Sequence, residues 1–249
     1  MTIDDLHVRL NALLNIEAFK DLCPNGLQVR GRTEVSHVVT GVSACVELFE
    51  KALELGADTV MTHHGIIWNF ERPVYDGGYK KRVKLLLEND INLLAYHLPL
   101  DAHDSLGNNA LLAKELHLKQ VTPFGNYNGM SIGFSGQWDG PSDKLFAQIR
   151  QSVNPDSMIF PFGPSTVRRV GIISGAAQKE VKQAVLQGLD AFITGEVSEH
   201  IYHYAREEGI HFIAAGHHAT EVFGIRALGE FVNREYGIQT TFVNIPNPV

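Results

Sequence analysis

The segment "VMTHHGIIW" at residues 60–68 places two adjacent histidines where a short apolar run meets a glycine. Neighbouring residues in a regular strand point to opposite faces of the sheet. His63 and His64 are therefore expected to converge on one ligand only where the chain leaves the strand, which Gly65 makes easy. The pair is either a solvent-facing spacer or half of a metal site. The choice depends on whether distant segments bring further ligands to the same place.

Three other strand-like segments also end in side chains that can bind metals. These side chains are His97 with Asp101, Glu196 with His200, and His217 with Glu221. In α/β sheets, ligands bind in the crevice outside the carboxyl ends of the strands. The shared position at strand ends therefore predicts one common site, although any one of these residues alone has an ordinary structural explanation as a turn, cap or surface residue.

His217 and Glu221 form the strongest local pattern. If a helix begins near Gly216, these positions are i and i+4 and lie on the same face. One imidazole and one carboxylate on that face can hold one ion, at about 2.0 to 2.2 Å for zinc. His218 points elsewhere in this arrangement, so we favour the first of the two histidines.

The number of candidate ligands favours a pair of ions over a single one. A catalytic zinc takes about three protein ligands, whereas five ligands with bridging carboxylates suit two divalent ions roughly 3.5 to 4 Å apart. Such a pair lowers the pKa of bound water towards neutrality, so the expected chemistry is hydrolysis. The spacing alone leaves His97 and Glu196 open as ligands or as groups that handle protons.

Two stretches of the chain repeat the same order of elements. Residues 38–62 contain a strand, a helical segment from Val46 to Leu55 and a second strand, and residues 170–194 repeat this order with Thr194 opposite Thr62. This pattern indicates a duplicated α/β unit. The predicted boundaries are residues 1–122 for the first repeat and 123–249 for the second, with an ordered crossover region at 123–165.

Composition narrows the class of protein. The chain has 249 residues and a formal net charge of -7, which argues against a general nucleic-acid binder. A local exception is "YKKRVKLLL" at residues 79–87, which we interpret as a solvated helix face. No apolar run approaches the roughly 18 residues of a membrane span. Because the two cysteines form no disulfide framework, we expect a cytoplasmic protein without membrane contact.

The motifs resemble those of the Nif-three-like family, also named GTP cyclohydrolase I type 2 homologues. They are "NGLQV" at 25–29, "VVTGV" at 38–42, "HHG" at 63–65, "HLPLDAH" with "GNNALLA" at 97–113, "ITGEVSEH" at 193–200 and "AGHHATEVFGIRALGEF" at 215–231. The resemblance covers nearly the whole chain and the shorter bacterial form of the family. "LCPNGLQV" departs from the "WDNVGLQV"-like form found elsewhere in that family.

The resemblance implies two intertwined, repeated α/β domains with mixed sheets and a dinuclear metal centre. It places the ligands at His63, His64, Asp101, His217 and Glu221, and it implies a ring-shaped homohexamer. The expected cofactors are two divalent ions per subunit, chosen among Zn, Fe, Mn, Ni and Co.

The leading hypothesis is a metal-dependent hydrolase of a nucleotide-like or phosphorylated small molecule, with His97 and Glu196 as catalytic candidates. GTP ring opening is the reaction that the family name suggests. The alternative is a metal-containing ring that binds or scaffolds a partner such as single-stranded nucleic acid. A third option is metal storage.

Overall fold

The computed structural model describes residues 1–72 and 74–249. These residues form two compact units, and each unit combines two separate segments of the chain. The first unit contains residues 1–100 and 224–245, and the second contains residues 101–223 and 246–249. Within the described residues, no helix combines the length and the apolar character that crossing a bilayer requires.

The first unit contains a mixed sheet. Its described strands are β1 (Gly26–Val29), β2 (His37–Ser43), β3 (Thr59–His64), β4 (Asn92–Ala95) and β11 (Gln239–Phe242). They are arranged in the order β1-β4-β3-β2-β11. The four strands from β4 to β11 are parallel, and β1 pairs antiparallel with β4 at one edge.

Helices of the first unit follow the apolar periodicity of the sequence. They are α1 (Ile3–Leu13), α2 (Val46–Glu54), α3 (Gly77–Glu88), the short α4 (Leu98–Asp101) except its last residue, and α9 (His217–Tyr236) from residue 224 onward. In α2, Leu48, Phe49 and Ala52 are buried in a core cluster with the central strands. The predicted helix from Val46 to Leu55 is confirmed to within one residue.

The second unit contains a larger mixed sheet. Its described strands are β5 (Lys119–Tyr127), β6 (Met130–Pro141), β7 (Met158–Pro161), β8 (Thr166–Ile172), β9 (Ala191–Thr194) and β10 (His211–Ala214). Their order is β5-β6-β8-β9-β10-β7. Strands β8, β9 and β10 are parallel, and the remaining pairings are antiparallel.

The helices of the second unit alternate with these strands along the chain. They are α5 (Asn108–Glu115), α6 (Ser142–Ser152), α7 (Val181–Leu186), α8 (Glu199–Glu208) and the first residues, to 223, of α9 (His217–Tyr236). A core cluster joins α5 and α6 to the parallel strands through residues such as Leu112, Ile149 and Ile193. The predicted crossover region at 123–165 is ordered, because it contains most of the β5–β6 hairpin, α6 and β7.

The two units repeat one set of hydrogen bonds, which supports the predicted duplication. In the first unit, the carboxylate of Asp58 accepts from the backbone N–H groups of Ser36 and His37, at 2.8 and 3.1 Å. In the second unit, Asp190 accepts from Arg168 and Arg169 in the same way, at 2.7 and 2.9 Å. Each aspartate precedes the strand that follows the repeated helix. Equivalent side chains therefore accept hydrogen bonds from equivalent backbone positions in the two units.

The α/β fold class with repeated, mixed sheets is confirmed. The compact units divide the chain after residues 100, 223 and 245, whereas the predicted repeat boundary lies at 122/123. A boundary between sequence repeats and a boundary between packed units are different quantities, because α4 and α9 each continue from one unit into the other. The repeat boundary at 122/123 therefore stays a prediction.

Candidate metal centre

Three histidines of the first unit lie together at the ends of neighbouring parallel strands. His63 and His64 are the last residues of β3, and His97 lies two residues beyond β4. Because β3 and β4 run parallel, their carboxyl ends meet at one edge of the sheet. One nitrogen from each imidazole lies within 4.8 Å of the others. The structure therefore places His97 beside two of the predicted ligands.

Strand β3 extends further than the sequence predicts. It ends at His64 rather than at Thr62, and Ser43 of β2 pairs with His64 across the sheet. The chain leaves the strand directly after His64, at Gly65, so the two histidines converge at the point expected from the sequence. Their ring centroids are 4.7 Å apart although both residues belong to the strand. At the end of a strand, side chains can lean along the strand direction beyond its last residue, which accounts for this approach.

Hydrogen bonds fix the orientation of two of these imidazoles. Nδ1 of His63 lies 2.9 Å from the carbonyl oxygen of Tyr96, and Nδ1 of His97 lies 2.8 Å from Oδ1 of Asp21. Both partners accept hydrogen bonds, so Nδ1 of each ring carries a proton that it donates. In the neutral ring the lone pair then belongs to Nε2. Metal-binding histidines typically donate their other ring N–H to a carbonyl or carboxylate in this way.

His64 is held by a hydroxyl group, in a slightly different arrangement. Its Nδ1 lies 3.1 Å from Oγ of Ser43. A serine hydroxyl both donates and accepts, so this contact orients the ring without deciding which ring nitrogen carries the proton. Ser43 is the last residue of β2, which places its hydroxyl at the same edge as the histidines.

A loop that the sequence analysis did not assign to the site holds His97. Oδ2 of Asp21 accepts from the backbone N–H of Leu98 at 3.0 Å, and Oδ1 of Asn25 accepts from the N–H of His97 at 2.7 Å. Burial raises the pKa of Asp21, but the hydrogen bond and charge of His97, with hydrogen bonds from Asn25 and the Cys23 N–H, outweigh burial and lower it to about 2. Asp21 is therefore ionised at neutral pH and aligns His97.

A second group of candidate ligands belongs to the second unit. His217 begins α9, and its Nε2 lies 3.2 Å from Oε2 of Glu221, one turn later on the same face. Carboxylate oxygens of Asp101 and Glu221 lie within 4.8 Å of each other. Asp101 is 5% exposed and Glu221 is 2% exposed. The structure thus brings together the three ligands predicted from this part of the chain.

Polar residues of two other segments hold Asp101 in place. Its Oδ1 accepts from Oγ of Ser174 and from Nδ2 of Asn108, each at 2.8 Å. The backbone N–H of Ser174 in turn donates to Oδ1 of Asn109 at 2.7 Å. The neighbouring asparagines are part of the "GNNALLA" segment, so a sequence signal for them existed, although their role in orienting Asp101 was not predicted.

Glu196, predicted as a catalytic residue, contacts a predicted ligand. Its Oε1 accepts from Nδ1 of His217 at 2.6 Å. Burial lowers the pKa of His217, but the hydrogen bonds and charges of Glu221 and of Glu196 outweigh burial and raise it to about 9. In the metal-free protein His217 is therefore protonated at neutral pH. A bound cation would take the place of the proton on Nε2.

Two glycines leave the space that these side chains occupy. A Cβ atom on Gly175 would lie 2.3 Å from Oε1 of Glu221 and 3.2 Å from Nε2 of His217. A Cβ atom on Gly195 would lie 2.5 Å from Cα of His217. Gly195 aligns with His63 in the repeat. The second unit has no side chain at this position, because the start of α9 fills the space.

Among the residues that the structure describes, His200 and His218 belong to neither group. Helix α8 begins at Glu199, so Glu196 precedes this helix and His200 lies in its first turn. His200 is exposed, and His218 follows His217 around the helix as predicted.

The donor set fits divalent metal ions. Imidazole nitrogens and carboxylate oxygens together suit Zn, Fe, Mn, Co and Ni, and both groups have their side chains oriented by hydrogen bonds from outside the group. Thiolate is not among the donors of either group. Burial raises the pKa of Cys23 to about 11, which keeps that thiol protonated.

Comparison with known proteins gave matches over nearly the whole chain. The Duf34/NIF3 (NGG1p interacting factor 3) family model matches residues 1–248. A GTP cyclohydrolase 1 type 2 homolog of Haemophilus influenzae is 45% identical over 247 residues, which is 98% of each chain. A solved structure described as protein ybgI, of unknown function, shares 44% identity with a TM-score of 0.95 over 100% of both chains. The crystal structure of TTHA1606 from Thermus thermophilus shares 33% identity with a TM-score of 0.92, again over 100% of both chains. This chain belongs to the Duf34/NIF3 family.

Proposed function

We propose that this protein is a metal-dependent hydrolase of a nucleotide-like or otherwise phosphorylated small molecule. In this proposal, two divalent ions are bound by His63, His64, Asp101, His217 and Glu221. Five ligands that include two carboxylates suit two divalent ions, whereas a single catalytic ion needs about three protein ligands. In the same proposal, His97 transfers protons and Glu196 orients the imidazole of His217.

The observation that carries the proposal is the pair of buried carboxylates in the second unit. Asp101 and Glu221 lie within 4.8 Å of each other and are almost fully buried. Two like charges in such a place repel each other and lose their hydration, which is unfavourable without compensating cations. The protonated imidazole of His217 offsets part of this charge, and a divalent cation would offset more. The pair is therefore more consistent with a cation site than with a purely structural contact.

When bound, divalent ions would acidify water and stabilise negative charge on the substrate. The protein groups around them have separate tasks. Glu196 holds the proton on Nδ1 of His217, which directs the Nε2 lone pair towards the ligand group. Asp21 does the same for His97. We assign proton transfer to Nε2 of His97, since Asp21 stabilises the charge that this ring acquires when it accepts a proton.

Metal binding by purified protein is the first test. Isothermal titration with Zn²⁺ should show saturable binding, and elemental analysis of protein purified without added metal should identify the resident ions. His217→Ala should weaken binding by more than the 10- to 100-fold typical of groups outside the metal's own ligands. His218→Ala is the matched control, since it removes the adjacent imidazole, and it should bind as the wild type does. Equal affinities for the two variants would contradict the assignment.

Activity is the second test. GTP, the substrate suggested by the name of the relatives, and a panel of phosphoesters should be incubated with metal-loaded protein. We expect turnover of at least one compound, with loss in His63→Ala and in Glu221→Ala. If any turnover survives unchanged in both variants, the activity does not come from this site and the hydrolase proposal fails.

A second function is favoured by one surface of the first unit. Helix α3 carries Lys80, Lys81, Arg82 and Lys84, and Tyr79 on it stacks with Tyr75 at 5.4 Å between ring centroids. The guanidinium carbon of Arg82 lies 5.9 Å from the centroid of the Tyr79 ring. A groove of about 440 Å³ is lined by Tyr75, Lys80, Val83, Lys84, Leu87 and Glu88. Positive charge with aromatic rings is the combination that binds single-stranded nucleic acid.

The nucleic-acid alternative has a direct assay. Wild-type protein should shift a single-stranded oligonucleotide in a gel at low salt, with affinity falling as salt rises. The double variant Lys80→Glu with Lys84→Glu should lose the shift. The double variant Lys114→Glu with Lys144→Glu changes two exposed lysines on α5 and α6, so it makes the same change in net charge and should keep the shift. Absence of binding by the wild type at low salt would remove this function.

Two further properties stay proposals. We propose a homohexameric ring, as the family resemblance implies, and analytical ultracentrifugation should give six times the mass of the chain. We also propose a cytoplasmic location, which fractionation of the producing cells would test.

A further inference from the structure

An aromatic side chain adjoins the histidine group of the first unit. The ring centroid of Trp68 lies 5.2 Å from that of His97, with the planes at 80°, and 5.9 Å from that of His64. Trp68 is half-buried, and its Nε1 donates to the carbonyl oxygen of Gly65 at 3.2 Å. The indole is therefore held in one orientation against two imidazoles of the candidate site.

A second ring extends this aromatic surface outward. The centroid of Phe70 lies 5.7 Å from that of Trp68, and the two planes differ by 34°. Phe70 is 67% exposed, which is unusual for a phenylalanine. Exposed Leu22 and Ile67 belong to the loops that carry these contacts. Exposed apolar side chains grouped beside polar residues are typical of a binding site.

The segment that carries both rings is fastened to the loop that orients His97. The backbone N–H of Asn69 donates to the carbonyl oxygen of Leu22 at 2.8 Å, and its side-chain Nδ2 donates to that of Asp21 at 3.3 Å. The N–H groups of Ile66 and Ile67 donate to Oε1 of Gln28, at 2.8 and 3.2 Å. Such anchoring positions the rings before any ligand binds, which reduces the entropy lost on binding.

We propose that Trp68 and Phe70 form a stacking subsite for a planar heteroaromatic ring of the substrate. This inference rests on the proposed function and names the substrate class more narrowly, because it excludes sugar phosphates and other molecules without such a ring. The exposed ring of Phe70 stacks on the substrate ring, and Trp68 supports Phe70 from the side of the histidines. The polar part of the substrate then extends towards His64 and His97.

Tryptophan fluorescence can report on this subsite directly. The chain contains two tryptophans, so Trp138→Phe leaves Trp68 as the single reporter. The probes are GMP, AMP, CMP and UMP, with ribose 5-phosphate as the matched compound that lacks the ring. We expect at least one nucleotide to quench Trp68 fluorescence saturably, with and without Zn²⁺, and ribose 5-phosphate to have no effect. No quenching by any of the four nucleotides would overturn the proposal.

Variants then locate the contact. Phe70→Ala should weaken nucleotide binding about tenfold, within the range found when a stacking side chain is removed. Tyr202→Ala is the control, because Tyr202 is an exposed aromatic residue on α8 whose ring contacts Phe160 and Phe162 instead. It should leave nucleotide affinity unchanged. Equal affinities in Phe70→Ala and the wild type would refute the subsite.

Two further measurements separate this proposal from others. Zn²⁺ affinity should be the same in Phe70→Ala as in the wild type, so a failed stacking test would leave the metal proposal standing. Conversely, quenching that survives in a protein unable to bind Zn²⁺ would support the subsite alone. If Phe70→Ala changes the sedimentation coefficient of the assembly but not nucleotide binding, the exposed ring belongs to a contact between copies, and the substrate role is wrong.

Discussion

Replacing Gly175 by alanine should separate metal binding from folding. Gly175 has φ +66° and lies against the ligand group of the second unit, where a Cβ atom would be 2.3 Å from Oε1 of Glu221. Real Cβ atoms do not approach an oxygen this closely, so Glu221 must move by about 1 Å to reach ordinary van der Waals contact. Because Glu221 is buried and its carboxylate is a proposed ligand, this movement displaces a donor from the metal.

Gly175→Ala should have two separate effects, one on the stability of the fold and one on the affinity for Zn²⁺. An alanine at positive φ costs roughly 1–2 kcal/mol, which lowers the melting temperature by about 2–8 °C for a chain of this size. Displacing Glu221 should weaken Zn²⁺ binding by at least the 10- to 100-fold found when a group that orients a metal ligand is lost.

Gly188 provides a matched control in the same unit. Its φ is +65°, and a Cβ atom there would meet nothing within 4 Å. Gly188→Ala should therefore lose about the same stability as Gly175→Ala from the backbone, yet bind Zn²⁺ with wild-type affinity. Calorimetric melting and Zn²⁺ titration of both variants measure the two terms. If Gly175→Ala binds Zn²⁺ as tightly as Gly188→Ala does, Glu221 does not coordinate the ion and the reasoning is refuted.

Other predictions concern titration. Glu196→Gln removes the charge that helps to raise the pKa of His217, so an NMR titration of metal-free protein should show that this pKa falls below about 9. Zn²⁺ affinity should drop about tenfold. An unchanged His217 pKa would argue against the contact. Burial lowers the pKa of His211, whose Nε2 donates to the Pro164 carbonyl and whose Nδ1 accepts from the Gly163 N–H. Its contribution to stability is therefore complete above pH about 6.5, the unfolded value, and is lost as the pH falls through the lower folded pKa. Chemical denaturation at pH 7.5 and 5.5 should show a smaller loss for His211→Gln than for the wild type, and equal losses would contradict this assignment.

The parts of the site that follow local rules were predictable. The start of α9 at His217 and the i, i+4 contact with Glu221 follow from helix periodicity, and the grouping of His63 with His97 follows from the location of parallel strand ends. Such contacts follow from simple geometry. One helix turn brings residues i and i+4 together, and neighbouring parallel strands end at the same edge of the sheet. The ligand set itself came from the family resemblance, since spacing did not separate His97 or Glu196 from the five proposed ligands.

The groups that orient the ligands were not predictable in this way. Asp21 is 76 positions from His97, and Ser174 is 73 positions from Asp101. Nothing in local periodicity relates such residues, because their contacts depend on how loops of different strands pack at the sheet edge. The strand end at His64 was also missed, since a polar residue at the end of an apolar run gives no signal of continued pairing.

The repeat explains why two similar units supply different donors. Both units fasten their strands with an equivalent aspartate, but His63 of the first unit aligns with Gly195 of the second, where the first residue of α9 occupies the space. The first unit therefore presents imidazoles from its strand ends, whereas the second presents an imidazole with buried carboxylates from α9 and α4. In the proposed metal centre, neutral imidazole ligands would leave the charge of a cation intact for acidifying water, and carboxylate ligands would offset the repulsion between two cations. The duplication that the sequence predicts would therefore have been followed by divergence of the donors that each unit presents.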